Sequence, residues 1–154
     1  MDKKRECVKA TYYSEVGVRE ATGKNDGKEV TGYLNSVGLT SGYAWCAAFV
    51  HWCLKQCGIS SSITAWSPSA VNRNKMIYSK RKWVAPFKTA TVFTLHSNSK
   101  KRIAHTGFAD EMVSDGMLQT VEGNTNSSGS FNGDGVYIRF RPIRTIYTIS
   151  DFIK

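Results

Sequence analysis

Gly42-Tyr43-Ala44-Trp45-Cys46-Ala47-Ala48-Phe49-Val50-His51-Trp52-Cys53-Leu54 organises the reading of the whole chain. A short, turn-forming segment hands one cysteine, Cys46, to the start of an apolar run with helical spacing. The start of a helix offers unpaired N–H groups and the positive end of the backbone dipole. That setting stabilises a thiolate, the reactive form of cysteine. A buried thiol is as often a plain core residue, so Cys46 alone does not define a site. Further along the chain stand His105, then a turn, then Glu122 and Asn124. A low-pKa thiol, an imidazole and a carboxylate or amide behind it are the parts of a cysteine-hydrolase site.

The 154 residues are enough to bury a proper core, and the chain is read as a single catalytic domain, 1–154. With 41% hydrophobic and 21% charged residues it has the composition of a globular protein rather than a disordered one. No apolar run approaches the roughly 20 residues of a membrane span. The start, Met1 to Arg5, is basic, but Glu6-Cys7-Val8-Lys9-Ala10 is no apolar signal core, so no signal peptide is expected in this stretch. The net charge of +9 implies attraction to polyanions. On charge alone, nucleic acid and an anionic cell envelope fit equally well. The basic clusters, Lys3-Lys4-Arg5, Lys80-Arg81-Lys82 and Lys100-Lys101-Arg102, lack the aromatic interleaving of an RNA-binding sheet. Of the four cysteines, Cys53 and Cys57 are read as small core residues, because a pair four apart on one helix rarely has disulfide geometry. The chain is therefore expected to hold reduced thiols, one of them chemically special.

Apolar spacing predicts a helix from about Lys3 to Arg19, a second ending near Val37 and capped by Asn25 or Asp26, and a third from Trp45 to Gly58. A short fourth helix is expected with Ser67 as cap and Pro68 at its first position. From Ala90 onward the texture turns β-prone: Thr91 to Leu95, Ile103 to Met112, Met117 to Glu122, Gly135 to Phe140 and Ile143 to Ile149. Helices first and strands later predict an α+β fold. The stretch from Asn124 to Gly135 is Gly-rich and polar, and is read as a flexible loop; it lacks the closing glutamate of a calcium loop.

Ser114-Asp115-Gly116 is a strong turn signal. A hairpin there lays Glu122 to Asn126 across from His105 to Ala109, where opposed residues lie within about 5.5 Å. Glu122 and Asn124, two apart, are expected on one strand face, and either could meet the His105 ring. The other histidines are weaker candidates. His51 lies about 140° round the helix from Cys46, and His96 begins a polar loop. Trp45, Trp66 and Trp83 suit sugar stacking, although core packing is the commoner use of tryptophan.

The run Tyr43 to Val50, then His105-Thr106-Gly107-Phe108, then Val121-Glu122-Gly123-Asn124, resembles the CHAP family of cysteine- and histidine-dependent amidohydrolases and peptidases, related to the NlpC-type wall peptidases. Arg19 to Gly27 resembles the helical lead-in of its small members. The resemblance implies a papain-like α+β fold, N-terminal helices on a C-terminal antiparallel sheet, and cleavage of amide bonds in bacterial peptidoglycan. It implies Cys46 as nucleophile, His105 as base, Glu122 as orienting acid and Asn124 as a fourth polar site residue. Tyr43 and Trp45 are candidates for oxyanion or substrate contacts. Some phage members carry an acidic calcium loop before the cysteine; this chain has only Asn25, Asp26 and Glu29 there, and no metal or organic cofactor is expected. The implied partner is peptidoglycan, in the periplasm or outside the cell, with a delivery or immunity protein as a further partner. A monomer is expected, with no nucleic acid and no membrane span. The rival readings are an inactive wall-binding domain and a basic nucleic-acid-binding protein.

Overall fold

The computed structural model describes residues 1–153 and consists of three α-helices followed by a seven-stranded antiparallel sheet. The helices are α1 (Lys3–Ser14), α2 (Lys28–Asn35) and α3 (Cys46–Gln56). The strands are β1 (Met76–Ser79), β2 (Lys82–Trp83), β3 (Thr91–Ser97), β4 (Arg102–Ser114), β5 (Met117–Thr125), β6 (Gly135–Pro142) and β7 (Thr148–Ser150). Their order across the sheet is β2-β1-β7-β3-β4-β5-β6. This is the α+β arrangement expected from the sequence. No helix among the described residues is long and apolar enough to cross a membrane.

The sheet divides two cores. Phe49, Val50, Cys53 and Leu54 of α3 pack with Val92, Phe108 and Val121 on one side, and Phe93, Leu95, Ala109, Leu118 and Ile149 form the other. The buried faces of α1 and α2, Val8 and Tyr12, then Val30, Tyr33 and Leu34, close over α3. Polar anchors fix α1 to the sheet. Arg5 reaches the Asp151 carboxylate at 2.9 Å, and the Tyr12 and Tyr13 hydroxyls both donate to the buried Asp110.

Several boundaries differ from the sequence reading. Helix α1 stops at Ser14 rather than Arg19 because Gly17, at φ 102°, turns the chain. Val18 and Arg19 then pair with the sheet beside Val136 and Gly135. Gly27, not Asn25 or Asp26, caps α2; the Asp26 carboxylate accepts from the Thr22 backbone and hydroxyl instead. Ser67–Ala70 is a single 3-10 turn with Trp66 before it, so Ser67 is not a cap. Ile143 to Ile149 splits into a 3-10 turn and the short β7, while β1 and β2 were not foreseen.

The largest correction concerns the thiols. Cys7 of α1 is disulfide-bonded to Cys57, just beyond α3, leaving Cys46 and Cys53 free. The sequence reading weighed only pairs along one helix, whereas packing of α1 on α3 brings together cysteines 50 residues apart. Closing a loop of that length removes unfolded-state entropy worth about 4 kcal/mol in the chain-entropy model. Reduction, or a Cys57→Ala substitution, is therefore expected to lower stability by about 2–4 kcal/mol, read from the urea midpoint. An unchanged midpoint would show that the crosslink constrains little in the unfolded chain.

Candidate active site

Trp45 is the residue before α3, and no side chain caps the helix. Cys46 therefore occupies the first helical position with the free N–H groups of the first turn around it. Its side chain is 4% exposed. Burial pushes the thiol pKa up, but the hydrogen bond and charge of His105, with backbone N–H groups of Thr106 and Ala47, outweigh it and hold the pKa below the ordinary thiol value. Cys53 is the opposite case. It is fully buried, and desolvation, with the Glu15 charge, drives its pKa well up. Two free thiols seven residues apart on one helix are thus set to different reactivities by position alone.

His105 projects from β4 and is fully buried. Its Nε2 lies 2.8 Å from Oε1 of Glu122. Its Nδ1 has no hydrogen-bond partner among the described residues, and the Cys46 thiol is near enough to act on the ring electrostatically. Burial lowers the His105 pKa, but hydrogen bonds to Cys46 and Glu122 win and raise it to about 9. Aromatic rings flank it as well: Phe131 stacks on it at 5.4 Å and 12°, and Phe93 stands tilted at 6.4 Å.

Glu122 is fully buried on β5, and a lone carboxylate there would be costly. Four donors satisfy it. Besides His105 and the Thr120 hydroxyl, Arg141 of β6 grips it as a fork, Nε to Oε2 and Nη2 to Oε1, each at 2.6 Å. Desolvation raises the Glu122 pKa, but the Arg141 and His105 bonds bring it down to about 2. The glycine of the His105-Thr106-Gly107-Phe108 run makes room for this: a Cβ on Gly107 would lie 2.9 Å from Glu122 Cγ and 2.9 Å from Phe93. Gly123 does the same for α3, since a Cβ there would meet Trp45 at 2.8 Å and Phe49 at 2.9 Å. The β4–β5 hairpin turns at Ser114 and Met117, as read from the sequence, and pairs Phe108 with Val121.

The remaining candidates fare differently. Asn124 is fully buried with both amide atoms unpaired, and of the two candidates only Glu122 hydrogen-bonds the His105 ring. Its φ of 58° is left-handed, and the β5–β6 register shifts between Glu122 and Thr125, so strict two-residue alternation no longer governs its side chain. Tyr43 is 54% exposed, three residues before Cys46. Trp45 is corrected: fully buried, it donates to Glu20 Oε1 at 2.9 Å and stacks on Tyr33, which leaves no surface for a substrate. His51 bonds Ser61, and the exposed His96 ring lies tilted against Tyr147. Among the described residues, no three His, Cys, Asp or Glu side chains gather as a metal-binding group.

Arg141 and Phe131 escaped the sequence reading. Arg139 and Arg141, two apart on β6, share a strand face, and arginine at period two in a β-prone run was the one signal on offer, with nothing in it to mark the carboxylate that Arg141 reaches. Nor is the Asn124–Gly135 loop free of structure: Asn126 Oδ1 accepts from Ser128 and Ser130, while Arg139 and Arg141 donate to the carbonyls of Ser127 and Gly129.

The pair also sets a pH window for stability. Glu122, depressed from 4.5 to about 2, contributes stability that is present above pH 4.5 and lost as pH falls toward 2. His105, raised from 6.5 to about 9, contributes stability that is present below pH 6.5 and lost as pH rises through 9. The combined contribution is expected to peak between about pH 4.5 and 6.5 and to flatten in Glu122→Gln, as measured by urea unfolding across pH. Arg141→Gln strips the fork from a buried carboxylate and is expected to cost about 3 kcal/mol or more in the same assay.

A family model described as CHAP domain matches residues 38–124, more than half of the chain. That span contains Cys46, His105, Glu122 and Asn124. No curated protein and no solved structure matches the chain.

Proposed function

From the premise that the chain belongs to the CHAP-domain family, whose name denotes cysteine- and histidine-dependent amidohydrolases and peptidases, we propose that it hydrolyses an amide bond of bacterial peptidoglycan through a thioester on Cys46. The observation that carries this reading is a line of matched groups: a thiol at an uncapped helix start whose pKa the neighbouring His105 lowers, that imidazole with its Nδ1 unengaged, and a buried carboxylate on its Nε2 held by an arginine fork.

In this mechanism the pair rests as thiolate and imidazolium, because the Cys46 pKa is lowered and that of His105 raised. The thiolate attacks the amide carbonyl, and the Cys46 backbone N–H at the helix start supports the oxyanion. His105 Nδ1–H gives its proton to the departing amine as the C–N bond breaks, leaving the thioester. The neutral imidazole then takes a proton from water, which attacks the thioester; a carboxylic acid leaves and the thiolate–imidazolium pair is restored. Glu122 keeps the ring oriented and stabilises its charged form. Tyr43, exposed beside the cysteine, is assigned to the substrate approach.

Action outside the cytoplasm is supported by the Cys7–Cys57 disulfide, since such bonds persist in oxidising compartments. The positive charge of the chain suits an anionic wall.

Digestion of purified peptidoglycan, with mass analysis of the fragments, tests the reaction and identifies the bond as sugar–peptide or peptide–peptide. Cys46→Ala is expected to abolish turnover with the fold intact; a folded, fully active Cys46→Ala protein ends the hydrolase reading. The pH profile of kcat/KM is expected to be a bell whose alkaline limb lies near 9, where His105 loses its proton. Glu122→Gln removes the charge that holds the proton on the ring, so this limb moves to lower pH, with a loss of about 10⁴-fold in kcat by analogy with other triads.

A further inference from the structure

Arg73, Lys80, Arg81 and Arg144 are far apart in sequence, yet all four line one groove of about 700 Å³, together with His96 and Tyr147. No Asp or Glu lines it, and none of the four cations has a carboxylate within ion-pairing distance among the described residues. All four are solvent-exposed. Lys80 and Arg81 form the β1–β2 turn, and both hold left-handed backbone, at φ 51° and 61°. Hairpin turns of this kind favour Asn or Gly, and a long side chain there costs about 1–2 kcal/mol. Two adjacent cations in such places are not required by the fold. Arg73 and Arg144 come from the 3-10 turns Arg73–Lys75 and Ile143–Thr145. The His96 and Tyr147 rings lie against one another at 5.1 Å and 37°, forming one wall.

We propose that this groove is a second binding site, separate from the thiol centre, for a polyol-phosphate chain of the cell envelope. Four like charges with no counter-charge attract a polyanion, and three of them are arginines, whose forks match the oxygens of a phosphate. The ring wall offers carbon surface to the polyol segments between phosphates. Nucleic acid fits less well: its bases stack on a succession of aromatic faces, and the groove has only this one tilted pair. Ile103 also lines the groove, two residues along β4 from His105, so the groove and the hydrolytic base share one strand. The choice of an envelope polymer rests on the hydrolase reading; the anionic specificity of the groove does not.

The test is a calorimetric titration of the full chain carrying Cys46→Ala with soluble poly(glycerol phosphate), so that binding is read without turnover. Arg73→Gln with Arg144→Gln is expected to weaken binding about tenfold or more, from the loss of two charge-assisted contacts. Arg81→Gln is expected to weaken it in the same direction, and Arg73→Lys with Arg144→Lys to recover part of the loss. Lys3→Gln with Lys4→Gln, which removes the same charge from α1, is expected to leave binding unchanged. Equal weakening by the α1 pair would show that net charge alone attracts the polymer and would overturn the proposal. So would tighter binding of a single-stranded oligonucleotide of equal charge. Because the hydrolase reading is judged separately, by Cys46-dependent cleavage of polymer-free peptidoglycan, either idea fails without the other.

Discussion

The carboxylate of Glu122, sealed away from water, is the constraint to which the rest of the site answers. Its charge survives burial only because donors from three adjacent strands converge on two oxygens: His105 from β4, Thr120 from β5 and Arg141 from β6. Such convergence demands a fixed register, since a one-residue slip of any strand turns its side chain to the opposite face. It also demands space, which Gly107 supplies by having no side chain. In the proposed resting pair, the alternation of charge from guanidinium to carboxylate to imidazolium to thiolate gives each buried group an opposite neighbour. A thiolate in an apolar interior is otherwise a costly species.

The parts of this arrangement governed by local rules were open to reading in the sequence. Cys46 at the start of an apolar helical run, and the Ser114-Asp115-Gly116 turn that folds His105 toward Glu122, follow from periodicity and turn chemistry. Which of Glu122 and Asn124 meets the ring did not, because the left-handed backbone at Asn124 breaks the alternation that the reading relied on. The disulfide was hidden for another reason: it depends on how α1 packs on α3, and no spacing along one helix encodes that. Arg141 was hidden because its meaning comes from a carboxylate on a neighbouring strand. An arginine in an exposed edge strand and one clamping a buried acid look the same in one dimension.

The loop from Asn124 to Gly135 shows how composition misleads about order. Small and polar residues suggest a chain free to move, yet the same residues supply the short-range bonds that stitch it, with Asn126 as the local hub. Arginines 139 and 141 hold two of its carbonyls, and its one large apolar residue, Phe131, lies on the His105 ring. The loop therefore roofs the imidazole and shields the charged pair from water, which strengthens the electrostatics beneath it.

The arginine fork has a consequence for where the working unit ends. The matched family segment opens at residue 38, well after Cys7, and closes at Asn124, before Phe131 and the strand that carries Arg141. A fragment cut to that segment would keep the nucleophile, the imidazole and the carboxylate, but strand them: an acid without its clamp, a ring without its roof and a helix without its tether. The residues that define membership of the family and those that make its chemistry tolerable in a dry interior are thus separable in the chain.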